Sequence, residues 1–116
     1  MGIVRSCLVA TLLALAPFCA PMAAQTGEAS WYRAHVGITA AGLRQEPEAL
    51  TAAHPRLPFG TTVRVTNLAN DRSVVLTITD RGPFTGGRIL DVSEAAARRL
   101  GFLRKGVTRV RIEPLR

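Results

Sequence analysis

Beyond residue 19 this 116-residue chain has no cysteine. Both cysteines, Cys7 and Cys19, sit near the amino terminus. If that segment is cut away, a disulfide framework and a thiolate metal site are excluded together. Aromatics are nearly as scarce: one tryptophan, one tyrosine and four phenylalanines. With arginines dispersed rather than clustered, that scarcity argues against a nucleic-acid surface. Long hydrophobic runs are missing too. The run at residues 7–16 (CLVATLLALA) has about half the length that a helix needs to span a bilayer. No repeat of fixed period and no low-complexity segment is present. Acidic residues number 8 against 15 basic ones.

What is present begins with a leader. Arg5 supplies a small positive region, the apolar run follows, and residues 20–24 are rich in alanine. This pattern reads as a secretory signal peptide over residues 1–24, cut after Ala24, although Met22 is bulky for the position three before the cut. Pro17 and Pro21 break the run and argue against a core helix. Removing residues 1–24 leaves 92, enough for one compact domain (25–116) and too few for two. Its 14 basic and 8 acidic residues give a net charge of +6, which suits an anionic polymer or a merely soluble basic surface. The expected product is a periplasmic or cell-envelope monomer. Association with the outer membrane would require lipidation at Cys19, whose preceding residues Ala16-Pro17-Phe18 fit a lipobox poorly.

The mature part alternates like β structure. Val63 and Val65 share one face, and Val74, Leu76 and Ile78 share a face opposite Val75, Thr77 and Thr79, so strands are expected at 61–66 and 73–79 around a polar turn at 67–72. Further strands are expected at 28–32 and 107–113, with a loop-rich stretch at 33–58. Ser93 is a good N-cap for a short helix over Glu94–Leu100, which Gly101 should end. The second central strand delivers one acid, Asp80, into the Gly/Pro-constrained turn Arg81-Gly82-Pro83-Phe84-Thr85-Gly86-Gly87. Many short strands with one small helix argue for a closed β-barrel, which leaves no sheet edge exposed.

The ordered blocks Ala29-Ser30-Trp31-Tyr32, Thr39-Ala40-Ala41-Gly42, Leu50-Thr51-Ala52-Ala53-His54, Leu57-Pro58-Phe59-Gly60-Thr61, Val63-Arg64-Val65-Thr66-Asn67, Asp80-Arg81-Gly82-Pro83-Phe84 and Gly87-Arg88-Ile89-Leu90-Asp91 resemble the rare lipoprotein A family. The resemblance covers nearly all of the mature chain. It implies a mainly β fold, a six-stranded double-psi β-barrel with one short helix. It also implies binding to peptidoglycan glycan strands and endolytic transglycosylase activity on peptide-stripped strands, leaving 1,6-anhydro-N-acetylmuramic acid ends. By the resemblance, the family's acid falls on Asp80 and its histidine on His54. The position that usually carries a glutamate is Leu43, and a second family acid corresponds to Glu46. The SPOR domain of many relatives has no counterpart in the sequence.

These residues define the candidate site. Asp80 is the expected general acid/base; the alternative is an aspartate capping its own turn. To act as an acid near neutral pH it must hold a proton, which burial favours and an inward-turned Arg81 opposes. His54 is expected to bond substrate or orient Asp80, or else to close the loop before Pro55. Thr39, Glu46, Thr51, Arg81 and Tyr32 are the expected substrate contacts. Trp31 is a candidate for ring stacking or for the core, and Asp91 for a structural role. Two histidines, His35 and His54, make no ligand set, so neither a metal nor another cofactor is expected.

Leu43 bears on the reaction class. An inverting glycosidase needs two carboxyl groups about 6.5–9.5 Å apart. A lytic transglycosylase uses the C6 hydroxyl of the muramic acid itself as nucleophile, so one carboxyl can serve first as acid and then as base. The expected function is therefore a lytic transglycosylase. The alternatives are a non-catalytic glycan-binding, wall-loosening module resembling expansins, and a structural envelope protein acting through a protein partner.

Overall fold

The computed structural model describes residues 24–33, 38–44, 46 and 48–115. Residues 1–23, with the expected leader and both cysteines, and His35 lie outside the described residues. Six strands and one helix follow in order: β1 (Gln25–Tyr32), β2 (Thr51–Ala53), β3 (Thr62–Asn67), β4 (Ser73–Asp80), β5 (Arg88–Ser93), α1 (Glu94–Leu100) and β6 (Val107–Pro114). The strands close in the order β1-β5-β2-β4-β3-β6. β1–β5 and β2–β4 are parallel pairs and the other four are antiparallel.

The alternation read from the sequence lines the barrel. Val63, Val65, Leu76, Ile78, Val92 and Val110 are fully buried, while Val75 and Arg64 face outward. Thr79 breaks this pattern, because it lies on the outward-facing register of β4 and is nevertheless buried. The helix forms as the sequence predicts. Ser93 Oγ accepts from the Ala96 N–H, and Gly101, at φ 82°, ends the helix by donating to the Ala97 and Arg98 carbonyls. The positive φ is what calls for glycine at this position.

Two boundaries need correction. β1 begins at Gln25, not residue 28, because its polar first turn pairs with β6 from Gln25↔Ile112 onward. The stretch 33–58 is not all loop, since Thr51–Ala53 forms β2, inserted between β4 and β5. The segment before the helix is strand β5, paired with β1 and β2. β2 is too short for its own periodicity to reveal it; long-range pairing on both sides makes it a strand.

Candidate active site

Asp80 ends β4, and two chain segments converge on it. β2 lies between β4 and β5, with Ala53 paired to Asp80 on one side and to Asp91 on the other. With neighbouring strands about 4.8 Å apart, the two aspartate backbones stand roughly 10 Å apart. The turn carrying Thr39 docks on the end of β4. Ala41 N–H donates to the Thr79 carbonyl at 3.0 Å and Ala40 N–H to Asp80 Oδ1 at 3.2 Å. Gly42, at φ 85°, closes that turn, and Ile38 bridges to Arg44. Arg81 N–H also donates to Asp80 Oδ1, at 2.9 Å. Both bonds fall on one oxygen, leaving Oδ2 without a protein partner among the described residues.

Arg81 turns away from this carboxylate. Its guanidinium donates to the His54 and Leu57 carbonyls at 3.1 and 2.8 Å and lies 4.0 Å from the centre of the Phe59 ring. No ion pair to Asp80 occurs among the described residues. Asp91 is engaged differently: Oδ1 accepts from the Ser30 hydroxyl, and Arg88 stands 3.9 Å away while also donating to Ser30.

Beside Asp80 opens a pocket of about 300 Å³ that gathers Tyr32, Thr39, Glu46 and Thr51 from among the expected contacts, together with Leu43, Arg44, Ala49, Thr79 and Ser93. Asp80 stands next to this pocket and is not part of its lining; its chain neighbour Thr79 is. Tyr32 bonds Thr51 across the pocket, hydroxyl to hydroxyl, at 2.8 Å. Burial pushes the Tyr32 phenol above its ordinary range, the Thr51 bond opposes this, and the charges of Asp80 and Asp91 add to the rise. Tyr32 is thus held protonated. Thr39 Oγ1 accepts from the Leu43 N–H. Leu43 itself is half exposed at 53%, and Glu48 pairs with Arg98 at the surface.

His54 faces elsewhere. Its Nδ1 accepts from the Arg56 and Leu57 N–H groups, both at 3.0 Å, so Nε2 carries the proton and donates to Gln25 Oε1 at 3.1 Å. Burial lowers its pKa, and the positive charges of Arg56 and Arg81 lower it further. The ring closes the 54–57 loop, and the link to Asp80 runs through the backbone, from the His54 N–H to the Asp80 carbonyl. Trp31 packs on the core and donates from Nε1 to the Leu103 carbonyl. No cluster of His, Cys, Asp or Glu among the described residues could hold a metal.

Sequence reading missed Thr79. Its Oγ1 is buried, with the residue 3% exposed, and has no hydrogen-bond partner among the described residues. Leaving a buried hydroxyl unpaired costs about 1–3 kcal/mol. A polar residue next to the strand-end acid was the available signal. Strand alternation set it aside as solvent-facing.

Residues 24–112 match the family model described as lytic transglycolase. The chain belongs to the lytic transglycolase family. Among curated relatives, "Endolytic peptidoglycan transglycosylase RlpA" of Neisseria meningitidis serogroup B is 52% identical over 93 residues, covering 78% of this chain and 39% of that protein. The protein of the same name from Rickettsia typhi is 50% identical over 96 residues, covering 78% of this chain and 30% of that one. The chain thus matches less than two-fifths of the length of either. Among solved structures, the Clavibacter michiganensis expansin superposes with a TM-score of 0.67 at 21% identity, over 81% of this chain and 51% of its own. A Streptomyces papain inhibitor superposes at 0.68 and 23% identity, over 83% and 97%. For this lytic transglycolase family member, those likenesses establish the fold, a double-psi β-barrel.

Proposed function

We propose that this protein is an endolytic peptidoglycan transglycosylase, acting outside the cytoplasm on the glycan strands of the cell wall with Asp80 as general acid and base. The observation that carries this reading is the Asp80 carboxyl next to the pocket lined by hydroxyl-bearing residues, one oxygen fixed by two backbone N–H groups and the other without a protein partner among the described residues. A protonated Asp80 would donate to the glycosidic oxygen as the bond from muramic acid C1 breaks. The resulting carboxylate would then take the proton of the C6 hydroxyl as O6 closes on C1, giving the 1,6-anhydro end. No water is consumed. Asp91 is occupied by Ser30 and Arg88 and Leu43 offers no acid, which favours single-carboxyl chemistry over a two-carboxyl hydrolase.

His54 acts in this scheme as a positioning residue, holding the loop whose carbonyls draw Arg81 away from Asp80. Tyr32, Thr39, Glu46 and Thr51 contact the sugar. Residues 1–24 are the export signal, and the barrel acts as a monomer. A non-catalytic glycan-binding module is the second reading, favoured by exposed Leu43 in the pocket wall.

Mass spectrometry of products from intact and amidase-stripped sacculi tests the choice. Anhydro-ended fragments should appear with the wild-type protein and fall by at least about 100-fold with Asp80→Asn. Undiminished cleavage by Asp80→Asn would remove Asp80 from the chemistry. Sedimentation with sacculi without any product would favour the binding module.

A further inference from the structure

The pocket beside Asp80 has a counterpart across the row of residues that holds the acid. Ala53 pairs with Asp80 on one side and with Asp91 on the other. Before this row, Thr51 of β2 lines the first pocket; after it, Pro55 lines a second pocket of about 300 Å³. The chain through β4 repeats the order, with Thr79 before Asp80 and Phe84 after it. β5 runs the other way and agrees, with Ser93 in the first pocket and Arg88 in the second. Four residues separate Thr51 from Pro55, a span of at most roughly 14 Å. A chain-like ligand that reaches both pockets therefore crosses the Asp80 row on the way.

The second pocket has its own chemistry. The Phe84 ring is 80% exposed, although Gly82 and Pro83 before it are buried. Pro55, Pro83 and Ile89 line the pocket with it, which makes much of the wall apolar. Its cations are Arg56 and Arg88, and no acidic side chain lines it. Arg88 is partly answered, by the Ser30 hydroxyl and by Asp91 at 3.9 Å. The Arg56 side chain is exposed, with no hydrogen bond or ion pair among the described residues. A complementary ligand therefore joins an apolar ring face to an anion.

We propose that this pocket is a second saccharide subsite, in which a muramic acid ring lies on Phe84 and its lactyl carboxylate pairs with Arg56. The proposal rests on the glycan-strand reading above and names the group by which stripped strands are told from intact ones. In an intact strand the lactyl carboxyl is an amide to the stem peptide and offers Arg56 no charge. Once the peptide is gone, the bare carboxylate matches the planar fork of the guanidinium. Phe84 meanwhile exchanges water for the apolar face of the sugar.

The test is a titration of the full protein with peptide-free strand tetrasaccharides, their lactyl carboxyls free or converted to methylamides. Wild type is compared with Arg56→Gln, Phe84→Ala and Arg64→Gln, the last on the outer face of β3. Wild type should prefer the free carboxylate about fivefold, and Arg56→Gln should lose that preference while binding the methylamide unchanged. Phe84→Ala should weaken both ligands about tenfold. Arg64→Gln measures the diffuse attraction of a basic chain for an anion and should keep the preference. Equal affinity of wild type for the two ligands, a preference that survives Arg56→Gln, an equal loss in Arg64→Gln, or unchanged binding by Phe84→Ala overturns the proposal. Cleavage is scored separately. A protein that binds with this pattern and cuts nothing keeps the subsite and loses the transglycosylase reading; one that cuts normally without the pattern does the reverse. Failure to bind either ligand overturns both.

Discussion

Asn67 and Thr79 occupy opposite ends of the β3–β4 hairpin, both almost completely buried, and their hydrogen bonding could hardly differ more. Asn67 Nδ2 donates to the Leu100 carbonyl at 2.8 Å, and its Oδ1 accepts from the Ala69 N–H and the Thr108 hydroxyl. Its side chain ties the hairpin turn to the end of α1 and to β6. Thr79 ties nothing. The buried polar group that holds the fold has its bonds filled by the protein, whereas the one beside Asp80 is left short. His54 falls on the Asn67 side of this division, since both ring nitrogens are occupied by its own loop and Gln25.

The sharpest way to break the comparison is at Asn67. Asn67→Ala removes three bonds at once and leaves the Thr108 hydroxyl and the Ala69 N–H to find other partners. A loss of about 2–4 kcal/mol in urea unfolding is expected. A loss below about 1 kcal/mol would mean that the saturated network is ornamental, and the contrast with Thr79 would lose its meaning.

His54 gives a smaller, pH-dependent effect. Its pKa is lowered in the folded state, so the unfolded chain takes up a proton below about pH 6.5 that the folded chain refuses. Stability contributed by the neutral ring is therefore full above that value. It falls as pH drops from there toward the folded pKa, by at most about 1.4 kcal/mol per pH unit. Urea unfolding at pH 7.5 and 5.5 should show more acid destabilisation in wild type than in His54→Gln. An equal change in both would show that the neutral ring adds no pH-dependent stability, against the loss of its two N–H bonds that protonation of Nδ1 requires.

The parts of this molecule that were readable in the sequence are those governed by neighbours in the chain. Ser93, Glu94 and Gly101 set the helix within nine residues, and the valines of β3 and β4 declare their buried face by alternation. β2 was unreadable because three residues carry no period, and its strand character comes from β4 and β5. At the site, Asp80 announced itself through the turn that follows it. The pairing of Ser30 with Asp91 bridges 61 residues and left no local mark. The direction in which Arg81 and His54 point depends on backbone carbonyls and N–H groups of the 54–57 loop, which every residue has. Composition therefore could not foretell it. Thr79 misled for a related reason: alternation assigns a face, and the docked 38–44 turn covers that face afterwards.

The smallest effect carries the opposite sign and bears most directly on the comparison. Thr79→Val deletes a buried hydroxyl that bonds nothing and retains nearly the same volume, so the ligand-free protein should gain about 1 kcal/mol, the low end of the cost of an unpaired group. The measurement is the urea midpoint in the absence of glycan, with the slope unchanged from wild type. A midpoint shifted down would mean that Thr79 has a protein partner in solution and belongs with Asn67 among the residues that hold the fold. A midpoint shifted up would place Thr79 opposite Asn67: a buried hydroxyl beside the candidate acid that gives up stability where the residues holding the fold do not.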